Sequence, residues 1–292
     1  MIKTRTRKDP HAPLPYGHDD PQTTQSVPWT PLIFGAEPIP LDDPTELYHE
    51  ASRSYPGIVD TRALGAASLE ASAELRVSAA RSVKRHHGKP FLPLPKGRIG
   101  RTSLAEAIAG RRSARGFGAR PLSLSQLASL LRASYGVTGQ VAGTAQHLRA
   151  VPSGGALFPL ELYVAAGRVD GVEQALFHYD PLRDGLERLD ALDYEAQLRP
   201  LSPYADELVA SAAVVVVSGV FWRSRFKYGA RAYRFTLIEA GHVAQNFLLT
   251  ATALRLTALP IGGFHDRAVD RLLGADSLHE AALYLLAVGA PA

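Results

Sequence analysis

Three side chains that could hold a phosphate group occupy alternate positions in the segment "GRRSARGF", which begins at Gly110. If the chain is extended here, Arg111, Ser113 and Arg115 project to the same side. Two guanidinium groups beside a hydroxyl make a suitable phosphate clamp, because they offer charged and forked hydrogen-bond donors. Arginines that follow a helix also complement the negative end of its dipole, and the spacing does not distinguish these two interpretations.

Two Gly-Gly pairs could let a flat ligand approach the main chain. Gly154 and Gly155 follow Pro-Ser in "VPSGGALFPL", and Gly262 and Gly263 follow Pro-Ile in "LPIGGF". Each pair lacks side chains that would keep a ligand away, although a single Gly-Gly pair is also typical of an ordinary turn. Two such loops in one chain, together with the arginine-rich segment, indicate a cofactor site.

A third group of residues lies at the start of the longest helical pattern, in "FKYGARAYRFTLIEAGHVAQN". Cations in the first turn of a helix oppose its dipole unless they have partners, so Arg231 and Arg234 should be paired. Lys227 and Tyr228 either carry out chemistry or form a surface ion pair and a helix cap. Glu239, further along the helix, is interpreted as a satisfied polar group of the helix surface, outside the site.

The elements that must position these segments are helices and strands in mixed order. Capping boxes at Ser103 and Ser123 predict the starts of two short helices, and Gly110 would end the first in a left-handed conformation. The longest helix is predicted at 230–255, with Ile238 among its apolar face. Further predictions are strands at 160–169, 174–190, 211–221 and 281–289 and a short helix at 264–274. The order lacks regular βαβ alternation, which favours an α+β fold.

The first third of the chain differs in composition, since thirteen of the 21 prolines lie within residues 1–100. Proline removes backbone donors and restricts the chain, which disfavours helices and paired strands there. The predicted parts are an extended arm at 1–45, helices at 45–57 and 64–87, and a linker at 88–97. We therefore divide the chain into an N-terminal part, 1–95, and a main domain, 96–292.

Composition excludes several classes of function. The 292 residues include no cysteine, so disulfides, thiolate metal sites and cysteine nucleophiles are excluded. No His-x-x-x-His pair lies in a helical pattern, so no metal site is predicted. The net charge of +4 comes without a basic stripe interleaved with aromatics, so no nucleic-acid partner is predicted. No apolar stretch is long enough for a membrane span or a secretory signal, and we expect a cytoplasmic protein.

Four segments in this order resemble one known family: "RRSARGF", "LRAVPSGGALFPLELYV", "KYGARAYRFTLIEAGHVAQN" and "PIGGFHD". They are similar to the SagB-type dehydrogenases, the azoline-oxidising branch of the FMN-dependent nitroreductase superfamily. The resemblance covers about residues 101–289, and "LYHEAS" at 47–52 looks like a short N-terminal signature of the same branch. It implies a nitroreductase-like fold, with a central, mostly antiparallel sheet surrounded by helices, in an intertwined homodimer.

The resemblance also implies an FMN site made of three groups of residues. The residues implied to hold the phosphate and ribityl chain are Arg111, Arg112, Ser113 and Arg115. Those implied to line the isoalloxazine from the partner subunit are Pro152, Ser153 and Gly154. Those implied to pack on the ring, or to direct amides at N5 and O4, are Pro260, Ile261, Gly262 and Gly263. Many nitroreductases add a Lys/Arg pair near the end of the chain, where this chain has "AVGAPA", so the phosphate ligand set stays open, with Arg255 and Arg267 as candidates.

In azoline-oxidising relatives a Lys-Tyr pair is the catalytic signature, and Lys227 and Tyr228 stand in the matching position. Oxidation of an azoline to an azole removes a proton from one ring carbon and a hydride from its neighbour, so a base is needed beside the flavin. Lysine acts as a base where an apolar pocket and nearby arginines favour its neutral form. Tyr228 would orient the ring or relay the proton.

Three functions follow as alternatives. The primary hypothesis is an FMN-dependent homodimeric enzyme that oxidises thiazoline or oxazoline rings in a peptide natural product, with oxygen reoxidising the flavin. The second is an NAD(P)H-dependent flavin reductase that acts on nitroaromatics or quinones. The third is a scaffold that holds a cyclodehydratase or a carrier-bound peptide and in which catalysis is secondary.

Overall fold

The computed structural model describes residues 44–54, 63, 65–80, 83–97, 99–144 and 146–292. The chain forms two compact units, residues 1–51 and 52–292. In the first unit the described part is a helix, Pro44–Ala51, so the arm predicted at 1–45 lies almost wholly outside the described residues. All other elements belong to the second unit.

The described residues form ten α-helices and nine strands. The helices are α1 (Pro44–Ala51), α2 (Gly65–Ala71), α3 (Ala73–Ala80), α4 (Leu104–Gly110), α5 (Leu124–Tyr135), α6 (Tyr194–Leu198), α7 (Ala205–Ala210), α8 (Trp222–Tyr228), α9 (Arg231–Ala253) and α10 (Asp266–Leu273). The strands are β1 (Phe91–Pro93), β2 (Val137–Gln140), β3 (His147–Arg149), β4 (Leu160–Ala166), β5 (Ala175–Asp180), β6 (Gly185–Ala191), β7 (Ala213–Val220), β8 (Thr257–Ile261) and β9 (Glu280–Gly289). The long helix and the final strand of the sequence prediction are confirmed.

Seven strands form one antiparallel sheet in the order β1-β6-β5-β4-β7-β9-β8, and β2 pairs with β3 separately. The strand β7, which lies between β4 and β9, is buried on both faces because its side chains alternate between two apolar clusters. Val215 and Val217 pack in the cluster that contains residues of α5 and α9, and Val214 and Val216 pack in the one that contains residues of α6, α7 and α10. These layers confirm the predicted α+β class and nitroreductase-like architecture. The homodimer stays a prediction.

The predicted linker at 88–97 is wrong, because part of it is a strand of the sheet. β1 pairs with β6, and the ring of Phe91 fills the place that a side chain at Gly185 would take, 2.1 Å from a Cβ built there. The guanidinium of Arg183 lies 4.2 Å from the centroid of the Phe91 ring. The prolines misled the prediction, since proline is excluded from central strands but tolerated at a sheet edge, where β1 lies.

Both predicted capping boxes are confirmed. Ser103 and Ser123 each accept a hydrogen bond from the N–H three residues later, and the side chains of Glu106 and Gln126 accept from the N-cap N–H in return. The left-handed cap predicted at Gly110 is wrong, since Gly110 is the last helical residue and the extended Arg111 follows it. None of the described helices is both long and apolar enough to cross a membrane.

Candidate functional site

Three of the singled-out segments lie at the same end of the central sheet. The register pairs the start of β4, Leu160, with Gly219 near the end of β7, and Gly219 with Ala281 near the start of β9. Because β8 runs antiparallel to β9, its last residue, Ile261, points to the same end. The Pro-Ser-Gly-Gly segment before β4, the Lys-Tyr pair after β7 and the Gly-Gly pair after β8 therefore lie at this end.

The Lys-Tyr pair lies directly against the first Gly-Gly segment. A Cβ built on Gly155 would be 2.6 Å from Tyr228 Oη and 2.9 Å from Lys227 Nζ, and one built on Gly154 would be 3.3 Å from the ring of Phe235. Gly155 also has a φ of +63°. Only glycine satisfies both the backbone conformation and the close approach. The structure thus brings together two segments that are more than seventy residues apart in the sequence.

Aromatic contacts fix the Lys-Tyr pair. The ring of Tyr228 meets the ring of Phe235 edge-on, with centroids 5.1 Å apart, and Lys227 Nζ lies 5.3 Å from the Tyr228 centroid. Among the described residues, no carboxylate oxygen lies within 4.0 Å of Lys227 Nζ, so the surface ion pair is not seen there. Tyr228 does not cap α9 either, since its N-cap is Ala230.

The arginines at the start of α9 have partners, as their position in the first turn requires. Arg231 donates to the carbonyl of Ser52 at 3.3 Å, and Arg234 donates to the hydroxyl of the same serine at 2.8 Å. Two cations at the positive end of the helix are thereby held by neutral acceptors. They are part of the structure around the Lys-Tyr pair and do not point to a separate site.

A cavity of about 320 Å³ borders Lys227 and the segment from Gly155 to Leu157. Its opposite wall comes from α2 and α3, including Leu69. Arg76 of α3 donates to the carbonyls of Leu69 and Glu70 and so ties the two helices together. The volume is at the lower end of that of small-molecule sites. Two larger clefts, of about 850 and 720 Å³, flank α3 and contain none of the predicted site residues, so volume alone does not locate the site.

The arginine-rich segment runs beside β8, where the N–H of Ala114 donates to the carbonyl of Ala258 at 3.2 Å. Arg111 and Ser113 approach each other to 3.5 Å, so they lie on one side as predicted. Arg115 Nε lies 3.8 Å from a carboxylate oxygen of Glu207, and its place in the phosphate clamp stays a prediction. Arg112 donates to the carbonyls of Ala109 and Arg111 at the end of α4, which is the helix-end role considered above.

The second Gly-Gly pair extends from the same strand. Pro260 is half-buried, whereas Ile261 is 2% exposed and packs in the apolar core. Gly262 is exposed, and a Cβ built on it would have no atom within 4 Å. The carbonyl of Gly263 accepts a hydrogen bond from Ser202 at 2.6 Å, which fixes the far side of the turn. The turn thus presents open main chain at the end of β8, the strand that the arginine-rich segment contacts at Ala258.

The two Gly-Gly segments do not meet within one chain. β7 and β9 separate β4 from β8, and three strand spacings amount to about 14 Å. One half of the predicted site, with Pro152, Ser153 and Gly154, therefore lies with the Lys-Tyr pair. The other half lies with β8 and the arginine-rich segment.

Sequence reasoning missed Glu239, which is 2% exposed and lies beneath the first Gly-Gly segment. Its carboxylate accepts a hydrogen bond from Tyr135 at 2.8 Å. Burial raises the pKa of Glu239 to about 7, against the opposing effect of the nearby Ser153, Tyr135 and Arg149. The missed signal was the phase of the helix, because Ile238 was assigned to the apolar face but is 55% exposed, and Glu239 lies on the buried face instead.

A buried ion-pair network anchors the helix that carries the Lys-Tyr pair. Arg223, in the first turn of α8, donates to Glu161 of β4, and His178 lies between Glu161 and Glu187 at 2.8 and 3.0 Å. Burial alone would raise the pKa of Glu161, but Arg223 and His178 lower it to about 2. Burial alone would lower the pKa of His178, but its two carboxylate partners raise it. The His178 ring and the charged groups of Arg223 and Glu161 are therefore held in place at the base of α8.

Comparison with known proteins identifies relatives across this region. The family described as "Nitroreductase family" matches residues 108–290. The protein MJ1384 of Methanocaldococcus jannaschii, which carries the nitroreductase name, is 34% identical over 188 residues, 64% of this chain and 90% of its own. The trifolitoxin-processing protein TfxB of Rhizobium leguminosarum bv. trifolii is 32% identical over 56% of this chain and 46% of its own. The microcin B17-processing protein McbC of Escherichia coli is 29% identical over 44% and 49%. The matched part of this chain thus spans about half the length of TfxB and McbC.

Solved structures share the fold. A nitroreductase homologue from Ralstonia eutropha JMP134 superposes with a TM-score of 0.59 at 25% identity, over 71% of this chain and 92% of that one. A chain of the Escherichia coli microcin synthetase complex McbBCD, solved with truncated pro-MccB17, has a TM-score of 0.55 at 23% identity, over 82% and 85%.

Proposed function

The chain belongs to the nitroreductase family, and from this premise we propose that it is an FMN-dependent dehydrogenase that oxidises thiazoline or oxazoline rings of a peptide to azoles. The observation that carries the proposal is the contact of Lys227 Nζ and Tyr228 Oη with the main chain of Gly155, beside a cavity of about 320 Å³. The names of two relatives, which describe processing of trifolitoxin and microcin B17, support a peptide-modifying role.

The residues present fit an FMN group. Arg111 and Ser113 are close enough to bind one phosphate together, and the open main chain at Gly262, which follows β8, leaves room for a flat ring. The amides of Gly262 and Gly263 and the segment Pro152–Gly154 would contact the isoalloxazine. When bound, FMN supplies the hydride acceptor of the reaction.

A homodimer would complete this site. The two Gly-Gly segments of one chain are about three strand spacings, or about 14 Å, apart. A single ring that contacts both therefore requires Pro152–Gly154 from a second subunit. The helices α9 and α4 carry an exposed apolar surface that suits such a subunit. On α9, Leu237 is 44% and Ile238 is 55% exposed. On α4, Leu104 is 67% and Ile108 is 56% exposed.

Lys227 and Tyr228 would act on the substrate ring in the cavity. Lys227 Nζ takes the proton released from one ring carbon, while the hydride leaves the neighbouring carbon and a ring double bond forms. The phenol of Tyr228, fixed by Phe235, orients the ring. The helix α2 contributes Leu69 to the wall of this cavity.

The test is the visible spectrum of the purified protein under anaerobic conditions. We expect a flavin band that bleaches with a synthetic azoline peptide and does not bleach with NAD(P)H. Lys227→Ala should retain FMN and oxidise the peptide on the order of 10²–10⁴-fold more slowly. The matched control is Lys96→Ala, at an exposed lysine outside the site, which should retain the original rate.

The other outcomes identify the alternatives. Rapid bleaching by NAD(P)H would support a flavin reductase, and full azoline oxidation by Lys227→Ala would remove the proposed base. A colourless protein that binds a cyclodehydratase or a carrier-bound peptide tightly would support the scaffold.

A further inference from the structure

The cavity that borders Lys227 shares part of its wall with a larger cleft. Arg76 of α3 and Gln146, which comes just before β3, line both the cavity of about 320 Å³ and the cleft of about 720 Å³. The cleft lies between α3 and the turn that joins β2 to β3, and its other lining residues are Ala73 and Val77 of α3 and residues 140–144. It therefore adjoins the cavity along Arg76 and Gln146.

A peptide substrate needs such a neighbouring cleft. The cavity is at the lower end of the volume of small-molecule sites, so it has room for a ring and little more. A ring within a peptide has chain attached on both sides, and this chain must leave the cavity. Among the described residues, the cleft of about 850 Å³ shares no lining residue with the cavity and is lined by the charged Glu74, Arg85 and Arg223. The cleft of about 720 Å³ is therefore the one placed to receive the chain.

The walls of this cleft are nearly uncharged. Within the part of the chain that the structure describes, they include no carboxylate, and Arg76 is their one charged residue. Its Nη1 donates to the carbonyls of Leu69 and Glu70 at 2.9 and 2.7 Å, so the cation is already hydrogen-bonded within the protein. A charged side chain that loses water without gaining a counter-charge is destabilised. The cleft therefore favours a peptide segment whose side chains are uncharged.

The turn that forms one wall of the cleft is held by its own hydrogen bonds. Thr144 Oγ1 donates to the carbonyl of Val141 at 3.0 Å and accepts the N–H of Gln146 at 3.1 Å, and Gln140 Nε2 donates to the carbonyl of Thr144. By contrast, the half-buried side-chain amide of Gln146 makes no hydrogen bond to any described residue. An amide both donates and accepts, so it matches the N–H and C=O groups of a peptide backbone.

We propose that the cleft between α3 and the β2–β3 turn binds the uncharged peptide segment next to the azoline ring, and that the Gln146 amide pairs with a peptide group of that segment where the cleft adjoins the cavity. The inference rests on the proposed function, because that function places the ring in the cavity beside Lys227. It adds a specificity for the substrate, since a ring without flanking peptide leaves the cleft and the Gln146 amide unused.

The test compares two synthetic substrates in a steady-state assay of azoline oxidation. One is an azoline capped with acetyl and amide groups, and the other is the same azoline extended on both sides by several uncharged residues. We expect the wild type to prefer the extended peptide on the order of tenfold in kcat/KM, through a lower KM, because the peptide adds hydrogen bonds in the cleft. The measured quantity is the ratio of the two kcat/KM values.

Two variants change the cleft in different ways. Gln146→Ala removes the amide and should lower the ratio about fivefold or more. Ala142→Trp fills part of the cleft from its exposed turn, at a residue that does not line the cavity, and should bring the ratio close to one. The matched controls are Gln174→Ala and Ala196→Trp, at exposed positions outside the cleft, which should keep the ratio of the wild type.

Each result decides between the inference and its premise. If the wild type oxidises both substrates equally well, or if Ala142→Trp keeps the wild-type ratio, the inference is wrong and the proposed function stands. If Gln146→Ala does not fold, the result for Ala142→Trp decides alone. An Ala142→Trp protein that sediments as a smaller species than the wild type would assign the cleft to a second copy of the chain and overturn the inference. If the wild type oxidises neither substrate, the proposed function fails, and the inference fails with it.

Discussion

At the scale of single residues, Gly155 links the fold to the proposed chemistry. Its left-handed backbone turns the chain towards β4, and the space where a side chain would lie is filled by Tyr228 Oη and Lys227 Nζ. A side chain at this position would therefore displace the two groups that we expect to act on the substrate. Glycine is therefore required both by the positive φ and by the space that Tyr228 and Lys227 occupy.

Gly155→Ala should abolish azoline oxidation and lower the free energy of unfolding by about 1–3 kcal/mol. The matched control is Gly171→Ala, because Gly171 also has a positive φ, +72°, but has no atom within 4 Å of a built Cβ. Gly171→Ala should lose stability and retain activity. Urea unfolding and a rate assay measure both effects, and equal activity in the two variants would contradict the role of the contact.

At the scale of elements, the ion pair between Arg223 and Glu161 attaches α8 to β4. Arg223→Met would leave the carboxylate of Glu161 buried and short of a partner. We expect the free energy of unfolding to fall by about 3–5 kcal/mol, with slower azoline oxidation because α8 carries Lys227. The matched control is Arg188→Met, which breaks the exposed pair with Glu173 and should change stability by only about 1 kcal/mol or less.

The free energy of unfolding of Arg223→Met should also depend on pH in a different way from that of the wild type. The pKa of Glu161 is lowered from 4.5 to about 2, so its contribution to stability is present above pH 4.5 and is lost as the pH falls towards 2. Without Arg223 the pKa of Glu161 rises, so acid unfolding should begin at higher pH. The raised pKa of His178 acts in the opposite direction, since its contribution is present below pH 6.5 and is lost as the pH rises through its folded value. Unfolding curves across the acid range would show no difference from the wild type if Arg223 were unimportant.

The α2–α3 pair contributes the wall of the cavity that faces Lys227, although it lies outside the part of the chain matched by the family. Leu69→Trp should fill part of the cavity and lower kcat/KM for an azoline peptide on the order of tenfold or more. Binding of FMN should not change. The control is Leu75→Trp on the exposed side of α3, and equal kinetics in both variants would place the substrate elsewhere.

At the scale of the whole molecule, the proposed site needs two subunits. Ile238→Glu would place an unpaired charge in the proposed interface, at a cost of about 3 kcal/mol or more, which is on the order of a hundredfold in the dimer Kd. Sedimentation should show monomers, and FMN should be lost with the dimer. The control is Leu278→Glu, at an apolar residue that is 71% exposed and lies outside this surface. A variant that stays dimeric and retains FMN would exclude this surface as the interface.

The sequence by itself determined the features that depend on neighbours along the chain. The capping boxes at Ser103 and Ser123 and the long helix α9 form as predicted, because their hydrogen bonds and apolar periodicity are local. The run of valines in β7 likewise indicated a strand buried on both faces. The sequence also showed the family resemblance, because each of its motifs is a short, contiguous segment.

Only the tertiary structure decided which residues meet. The proline-rich β1 is a strand because it pairs with β6 at the sheet edge, and Arg115 Nε lies 3.8 Å from a carboxylate oxygen of Glu207, far away in the sequence. Glu239 is buried because packing against the sheet sets the rotation of α9, and the helical period alone does not fix which residue faces the core. The antiparallel pairing of β4 with β7 places Lys227 next to Gly155. The sequence does not specify this contact, because strand pairing joins segments that are far apart along the chain.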